Sequence, residues 1–345
     1  MKRTPDRLSY AEAGVDIAAA EGLTRRLAHL AESTRSEGVQ GRFGSFGGRF
    51  RISEDAELVA SADGVGTKVL VARAADRHGT VGEDLVNHCV NDILTEGAVP
   101  LFFLDYFACG TLEPDVAFDV ISGIARGCRE NGCALLGGET AEMPGVYAPG
   151  DYDLAGFIVG RVSLPVPGRD SVSEGDLLIA LPSSGLHTNG YSLARKVVFE
   201  RLGLGLGDEL PGTGESVADV LLRVHVSYLP FLRASCDRGA IRALAHITGG
   251  GIPGNLSRIL PGDCDARVDV STWDPGPLFG LLGRESGLEI DELYGTFNMG
   301  VGMIAAVSPD EVRQVLSEID CEGGTGFVCG VVARGTGNVV LERAG

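Results

Sequence analysis

The residues best equipped for chemistry stand together at Asp63-Gly64-Val65-Gly66-Thr67-Lys68, directly after the apolar run Leu58-Val59-Ala60. The apolar run predicts a strand and the rest its exit turn. Gly64 and Gly66 have no Cβ, so the backbone can turn sharply and aim N–H groups at an anion. Thr67 adds a hydroxyl and Lys68 a cation for phosphate oxygens. Asp63 repels phosphate unless a Mg²⁺ ion takes carboxylate and phosphate oxygens together. The pattern therefore suggests a metal–nucleotide site, although the Walker A spacing is absent. The plain alternative is a glycine turn beside a surface lysine.

Two further stretches repeat this logic. Gly137-Gly138-Glu139-Thr140-Ala141-Glu142 follows the short strand Cys133–Leu136 and pairs close backbone approach with carboxylates. Pro182-Ser183-Ser184-Gly185-Leu186-His187-Thr188-Asn189-Gly190 lies between a strand and a helix predicted to start near Ser192, a setting that favours anions. His187 is either a hydrogen-bonding structural residue or a catalyst there. His246-Ile247-Thr248-Gly249-Gly250-Gly251 is another anion-friendly loop. Asp92 lies on the flank of an apolar helical stripe, Leu85, Val86, Cys89, Val90 and Ile93, as a solvated edge residue or a second metal ligand. Gly41 to Gly48 mixes glycines with Phe43 and Phe46, as a flap over a ligand or a hairpin turn.

These residues need a scaffold of strands and helices. Helical spacing marks 18–33, 84–97, 115–131, 217–234 up to Pro230, and 309–319; apolar runs mark strands at 101–106, 153–162, 176–181 and 301–307. At 345 residues the chain is long for one core, so two domains are expected. Pro165, Pro167 and Gly168 interrupt both periodicities, which places the change near 168: an N-terminal domain 1–168 and a C-terminal domain 169–345. The 51 glycines fit tight turns, since no low-complexity period accompanies them.

Charge narrows the partners. With 29 basic and 47 acidic residues the formal charge is −18, which disfavours nucleic acid and anionic membranes. An anionic ligand would have to enter against this field, with the help of a metal and a few placed cations. The eight cysteines form no C-x-x-C pair and suggest reduced thiols in a cytoplasmic protein. No apolar core follows Lys2 and Arg3, so no secretory leader is expected, and no run approaches a membrane span.

Several stretches together carry a resemblance. They are Ser9-Tyr10 with Ala13 to Ile17, Asp63 to Lys68, Val90-Asn91-Asp92, Phe102 to Tyr106, Gly137 to Gly145, Pro182 to Ser192, His246 to Gly251 and Thr296 to Met303. In that order, from about residue 9 to about residue 340, the sequence resembles the phosphoribosylformylglycinamidine cyclo-ligase (AIR synthetase) family. The resemblance implies an α/β (α+β) two-domain fold, with an N-terminal mixed sheet that pairs in a homodimer and a C-terminal α/β domain. It implies ATP-dependent closure of formylglycinamidine ribonucleotide to aminoimidazole ribonucleotide, with ADP and phosphate released through an iminophosphate.

On that resemblance Asp63, Asp92 and Glu139 are metal candidates for Mg²⁺, and a monovalent cation stays open. Gly64, Val65, Gly66, Thr67 and Lys68 hold ATP. Ser183, Ser184, His187, Asn189, Thr248, Gly249, Gly250 and Gly251 contact substrate, with His187, Lys68 and Asp63 catalytic. Ala20, Glu21, Ser45 and Gly295 depart from the family wording and weaken detail at the flap and near Asn298. The rivals are other ATP-using enzymes of the superfamily, among them selenophosphate synthetase, thiamine-phosphate kinase and the amidotransferase-coupled synthetase. Selenophosphate synthetase would want a cysteine near its N-terminus, whereas the first here is Cys89. A degenerate nucleotide-binding scaffold is the rival from another class.

Overall fold

The structure is a computed structural model that describes residue 8, residue 14, residues 17–41 and residues 43–343. Most of the N-terminal signature, Ser9-Tyr10 and Ala13 to Asp16, lies outside the described residues apart from Gly14. The N-terminal half runs α1 (Ile17–Ser33), β1 (Val39–Gln40), β2 (Gly48–Ser53), β3 (Ala56–Gly64), α2 (Lys68–Ala74), α3 (Gly79–Thr95), β4 (Ala98–Cys109), α4 (Pro114–Glu130), β5 (Ala134–Glu142) and β6 (Tyr152–Val162). Its strands form one mixed sheet in the order β1-β2-β3-β6-β4-β5, with β4 and β5 parallel and the other pairs antiparallel.

Alternation decides the two faces of this sheet. Phe103, Phe107, Leu154 and Ile158 are buried on the face that packs against α3 and α4. Those helices meet backbone to backbone. A Cβ at Gly82 would run into the Val120 carbonyl, and one at Gly123 into the Gly79 carbonyl. Among the described residues the opposite face is bare, and Phe50, Phe157 and Leu136 are all exposed.

The C-terminal half contains β7 (Leu177–Pro182), α5 (Tyr191–Arg195), α6 (Val217–Leu221), α7 (Leu229–Asp237), β8 (Ile241–His246), α8 (Gly251–Leu256), β9 (Cys264–Asp269), α9 (Pro277–Ser286), α10 (Ile290–Thr296), β10 (Val301–Val307), α11 (Val312–Cys321), β11 (Phe327–Arg334) and β12 (Val339–Glu342). Its sheet has the order β12-β9-β11-β7-β10-β8. Every residue of β10 is buried, as its unbroken apolar run requires of a strand covered on both faces. Two α/β halves with mixed sheets agree with the expected fold class.

Three expectations about elements need correction. Gly137-Gly138-Glu139 is no exit turn, because β5 continues through Glu142 and pairs with β4 along that length. Pro230 does not end a long helix. It sits in the first turn of α7, where a missing N–H costs nothing, and residues 223–228 before it are extended or irregular. The flank of α3 is not solvated, since Asn91 and Asp92 are both buried.

Candidate functional site at the domain junction

The last correction explains the site. The apolar stripe of α3 covers its own sheet, and its polar side is covered by the other half of the chain. Asn87 Nδ2 donates to the His225 carbonyl at 2.8 Å, and Asn91 Nδ2 to the Val226 carbonyl at 2.8 Å. The Tyr228 N–H donates to Asn91 Oδ1 at 2.9 Å, and the His225 N–H to Asp84 Oδ1 at 2.7 Å. Backbone groups satisfied by side chains have no need of a helix, so segment 223–228 stays unwound despite its pattern.

Four of the six histidines meet inside this junction. His88 Nε2 lies 2.7 Å from Asp63 Oδ2, and His88 Nδ1 lies 2.8 Å from Thr188 Oγ1. Thr188 Oγ1 is 3.5 Å from His225 Nδ1, and His225 Nε2 is 3.0 Å from His246 Nε2. His246 Nδ1 is 2.8 Å from Asp92 Oδ1. Asp92 Oδ2 turns back to Ser61 Oγ at 3.1 Å and His88 Nε2 at 3.8 Å. His187 stacks on His225 with ring centroids 3.9 Å apart. Two carboxylates, one from β3 and one from α3, thus share His88 and are linked through both halves of the chain.

The charge states follow from these partners. Burial pushes the His88 ring down, but Asp63, Asp92 and Asp84 overcome it and raise it to about 9. Burial pushes Asp63 up, and the charge and hydrogen bond of His88, with the Gly64 N–H, bring it below the usual carboxylate range. Burial, reinforced by neighbouring rings, drives His187 and His225 well below the usual histidine range; burial also lowers His246 against the pull of Asp92.

A stability profile with two falling sides is expected. His88 is raised from 6.5 to about 9, so its contribution is full below pH 6.5 and is lost as pH rises through about 9, at most about 3 kcal/mol. His187, His225 and His246 are depressed, so their contribution is present above 6.5 and is lost as pH falls toward their lower folded values. Urea unfolding from pH 5 to 10 should show a maximum between these limbs. The alkaline limb should shrink in His88→Asn, and an unchanged limb would contradict the charged His88.

The predicted residues divide. Asp63 keeps a carboxylate that is 40% exposed, at the end of β3 beside Gly64. On the other half, the Thr188 carbonyl stands over Gly66, a Cβ at Gly249 would touch Asn189 Oδ1 at 3.3 Å, and Thr248 Oγ1 is 3.4 Å from Asn255 Oδ1. Thr67 Oγ1 meets Ser192 Oγ at 3.3 Å, so the loop 64–67 abuts the start of α5. Gly251 is packed against the Tyr294 carbonyl, whereas Gly249 is exposed and Thr248 and Gly250 are partly open.

Lys68, expected to face phosphate, is 0% exposed. Its Nζ pairs with Asp84 Oδ2 at 2.7 Å and donates to the Arg223 carbonyl at 2.7 Å, so it ties the two halves together. Glu139, expected beside Asp63 and Asp92, lies on the bare face of the sheet. Register Gly64–Ala155–Tyr106–Glu139 puts it three strand spacings, about 14 Å, from Gly64. No single ion within one chain reaches all three carboxylates.

His187 also departs from its expected place. It is buried, with φ +59°, and its Nε2 accepts the Ser184 N–H at 3.2 Å, so it holds the turn rather than opening onto ligand. Ser184 Oγ donates to the Val224 carbonyl at 2.5 Å and Ser183 Oγ to the Gly185 carbonyl at 2.9 Å. Both hydroxyls are therefore engaged within the chain.

Sequence reasoning missed His88, His225, Ser61 and Asp84, and named Thr188 only as part of the turn around His187. Only the i, i+4 spacing of Asp84, His88 and Asp92 on one helix could have signalled part of this set.

A cavity of about 580 Å³ opens at the same junction, lined by Phe46, Arg49, Thr95, Arg169 and Arg258 among others. The Arg258 guanidinium stands 4.7 Å over the Phe46 ring. Ser61 Oγ is 3.2 Å from the Phe46 carbonyl, which ties the glycine-rich segment to the Asp92 carboxylate.

Fold and site define a two-domain α/β protein with its polar centre between the halves. Residues 45–162 match the family described as AIR synthase related protein, N-terminal domain, and residues 173–342 its C-terminal domain. A phosphoribosylformylglycinamidine cyclo-ligase of Myxococcus xanthus is 49% identical over 95% of this chain and 97% of its own. One of Trichlorobacter lovleyi is 45% identical over 94% and 95%. A ThiL structure complexed with AMPPCP and TMP has the same fold, with TM-score 0.67 at 14% identity over 94% of each chain. The chain belongs to the phosphoribosylformylglycinamidine cyclo-ligase family.

Proposed function

We propose that this protein closes the imidazole ring of formylglycinamidine ribonucleotide at the expense of ATP, giving aminoimidazole ribonucleotide, ADP and phosphate in purine biosynthesis. The observation that carries this reading is the exposed carboxylate of Asp63 beside the glycine loop, oriented by buried His88, at a junction where both halves contribute polar groups. Family membership supports the reaction, and the AMPPCP complex of a structural neighbour supports a triphosphate ligand.

The formyl oxygen is a poor leaving group. Transfer of the γ-phosphoryl group makes it an iminophosphate; the ribosylated amidine nitrogen then attacks the formyl carbon and phosphate departs. The enzyme's task is to hold two anions in line and to balance charge. Asp63 has oxygen lone pairs left for Mg²⁺ entering with the triphosphate, and that ion supplies neutralisation of phosphate charge. The backbone of 64–67 flanks it. Asn189, Thr248 and Gly249 offer polar groups to the substrate, and Arg258 and Arg169 offer cations within an acidic molecule. Phosphate release from ATP should require formylglycinamidine ribonucleotide; release without it, or binding of ATP with no release, would defeat the proposal.

The bare sheet face is proposed to pair with a second copy. Phe50, Phe157 and Leu136 stand exposed on it, an apolar patch that solvent penalises. Glu139 would then face the second copy, which accounts for its distance from Asp63. Replacing Phe157 by Asp should halve the mass measured by sedimentation; an unchanged mass would refute this face as the interface. Free thiols at all eight cysteines suit the cytoplasm, and no described helix is long and apolar enough to cross a membrane.

A further inference from the structure

Two thiols meet where α4 turns into β5, away from Asp63 and the histidine cluster. The end of α4 fixes the direction of the outgoing chain. Gly132 takes φ +69°, its N–H donates to the Arg129 carbonyl at 3.2 Å, and the Cys133 N–H donates to the Cys128 carbonyl at 2.9 Å. This pair of bonds is a Schellman cap, in which the residue after the left-handed glycine packs on the residue five positions before it. Here both residues are cysteines. We propose that Cys128 and Cys133 form a reversible disulfide by exchange with a low-molecular-weight disulfide, and that the bridge tightens the link from α4 to the other half of the chain.

The backbone separation suits the bond. Standard bond lengths on either side of the 2.9 Å hydrogen bond leave the two Cα atoms at most about 6.8 Å apart. Disulfides span Cα separations of about 4.4–6.8 Å. The side chains also face each other. The Cys128 thiol donates to the Cys133 sulfur, and this bond holds Cys133 below the usual thiol range and Cys128 above it. Cys128 is buried, whereas Cys133 is half-buried at the margin of the core. The more accessible thiol, with the lower pKa, is the one that attacks, and the buried neighbour resolves.

The exchange balances. Cys133 gives its proton to solvent, and its thiolate attacks one sulfur of the small disulfide, whose S–S bond breaks and releases one thiolate. Cys133 is then neutral and no longer opposes ionisation of Cys128. Cys128 loses its proton and attacks the Cys133 sulfur, forming the protein S–S bond and expelling the second small thiolate. Both expelled thiolates take up protons, so two protein thiols are oxidised and one small disulfide is reduced to two thiols. A bridge of this kind in a reducing compartment is transient, as redox-sensing disulfides are.

The loop closed by the bridge contains Asn131. Its Nδ2 donates to Asn87 Oδ1 at 2.8 Å, and its Oδ1 accepts the Ser227 hydroxyl at 2.6 Å. Ser227 belongs to the unwound segment that Asn87 and Asn91 hold against α3, so restraint of Asn131 is restraint of that segment. The ring-closing reaction plays no part in this chemistry, so the bridge and the proposed function can fail separately.

The test uses the full chain, treated with oxidised glutathione and then with dithiothreitol. Mass spectrometry should show loss of two hydrogen atoms, a Cys128–Cys133 cross-link in peptides cut without reduction, and full reversal by dithiothreitol. Cys128→Ser should stop at a glutathione adduct on Cys133, and Cys133→Ser should form no bridge. Cys321→Ser, which removes an exposed thiol, should bridge as the wild type does. Amide hydrogen exchange across residues 225–228 should slow several-fold on oxidation of the wild type and stay unchanged in Cys133→Ser. Should a serine variant fail to fold, the wild-type cross-link and its reversal decide. Absence of the cross-link in the wild type, or a different pair bridged in its place, would overturn the site. Exchange across 225–228 that is unchanged or faster in the bridged wild type would overturn the link to the other half.

Discussion

Asp63→Asn is expected to lower kcat/KM for substrate-dependent ATP turnover on the order of 10³-fold, with the fold retained. The replacement keeps size and removes charge. Asp63 Oδ1 accepts the Gly64 N–H at 2.8 Å and Oδ2 meets His88 at 2.7 Å, so an amide can occupy the same volume. What it cannot do is offset the charge of a divalent ion. Losing one preorganised group that acts on developing charge typically costs 10²–10³; here the loss also leaves the His88 imidazolium with Asp92 as its nearest remaining carboxylate, at 3.8 Å. Steady-state kinetics with varied Mg²⁺ would check it. Full turnover in the variant would remove Asp63 from the metal role.

The second large effect concerns stability. Lys68 and Asp84 are both fully buried and paired at 2.7 Å. Burial pushes Lys68 down and Asp84 up, to about 6 for the carboxyl, and each opposes the other's shift. Removing one partner strands the other, so Asp84→Asn or Lys68→Met should each destabilise by about 3–5 kcal/mol. Asp84→Asn also weakens the bond to the His225 N–H, and Lys68→Met loses the bond to the Arg223 carbonyl, so the domain junction should loosen first. Replacing both, Lys68→Met with Asp84→Leu, should recover much of the loss, since a buried pair is weak evidence for net stability. Urea unfolding of the three variants decides it. A Lys68→Met protein of normal stability with only a raised KM for ATP would return this lysine to the phosphate.

Much of this arrangement was legible beforehand, and the misses share a cause. Strands β3, β4, β5, β6, β7 and β10 and helices α4 and α11 showed themselves through local periodicity, because each buries apolar side chains within its own half; α1 was legible from the same spacing although its Leu23, Leu27 and Leu30 stay exposed. The loop around Asp63 was visible for a similar reason: glycine, acid and hydroxyl types cluster in sequence. What periodicity could not show is burial imposed from far along the chain. Asp92 stood on a polar flank, and only contact with residues 225–228 makes that flank interior. Lys68 looked like a free cation until Asp84, sixteen positions on, and the Arg223 carbonyl claimed it. Glu139 was misplaced because two glycines suggested a turn, whereas β4 supplies hydrogen bonds that keep β5 extended through them. His225 lay within a helical pattern that Asn87 and Asn91 override by taking its backbone.

The most direct measurement follows the oxygen. Formylglycinamidine ribonucleotide labelled with ¹⁸O in its formyl group, turned over with ATP and Mg²⁺, should deliver one ¹⁸O atom into each inorganic phosphate released. Label appearing in water instead, or phosphate formed without label, would contradict phosphoryl activation at this junction.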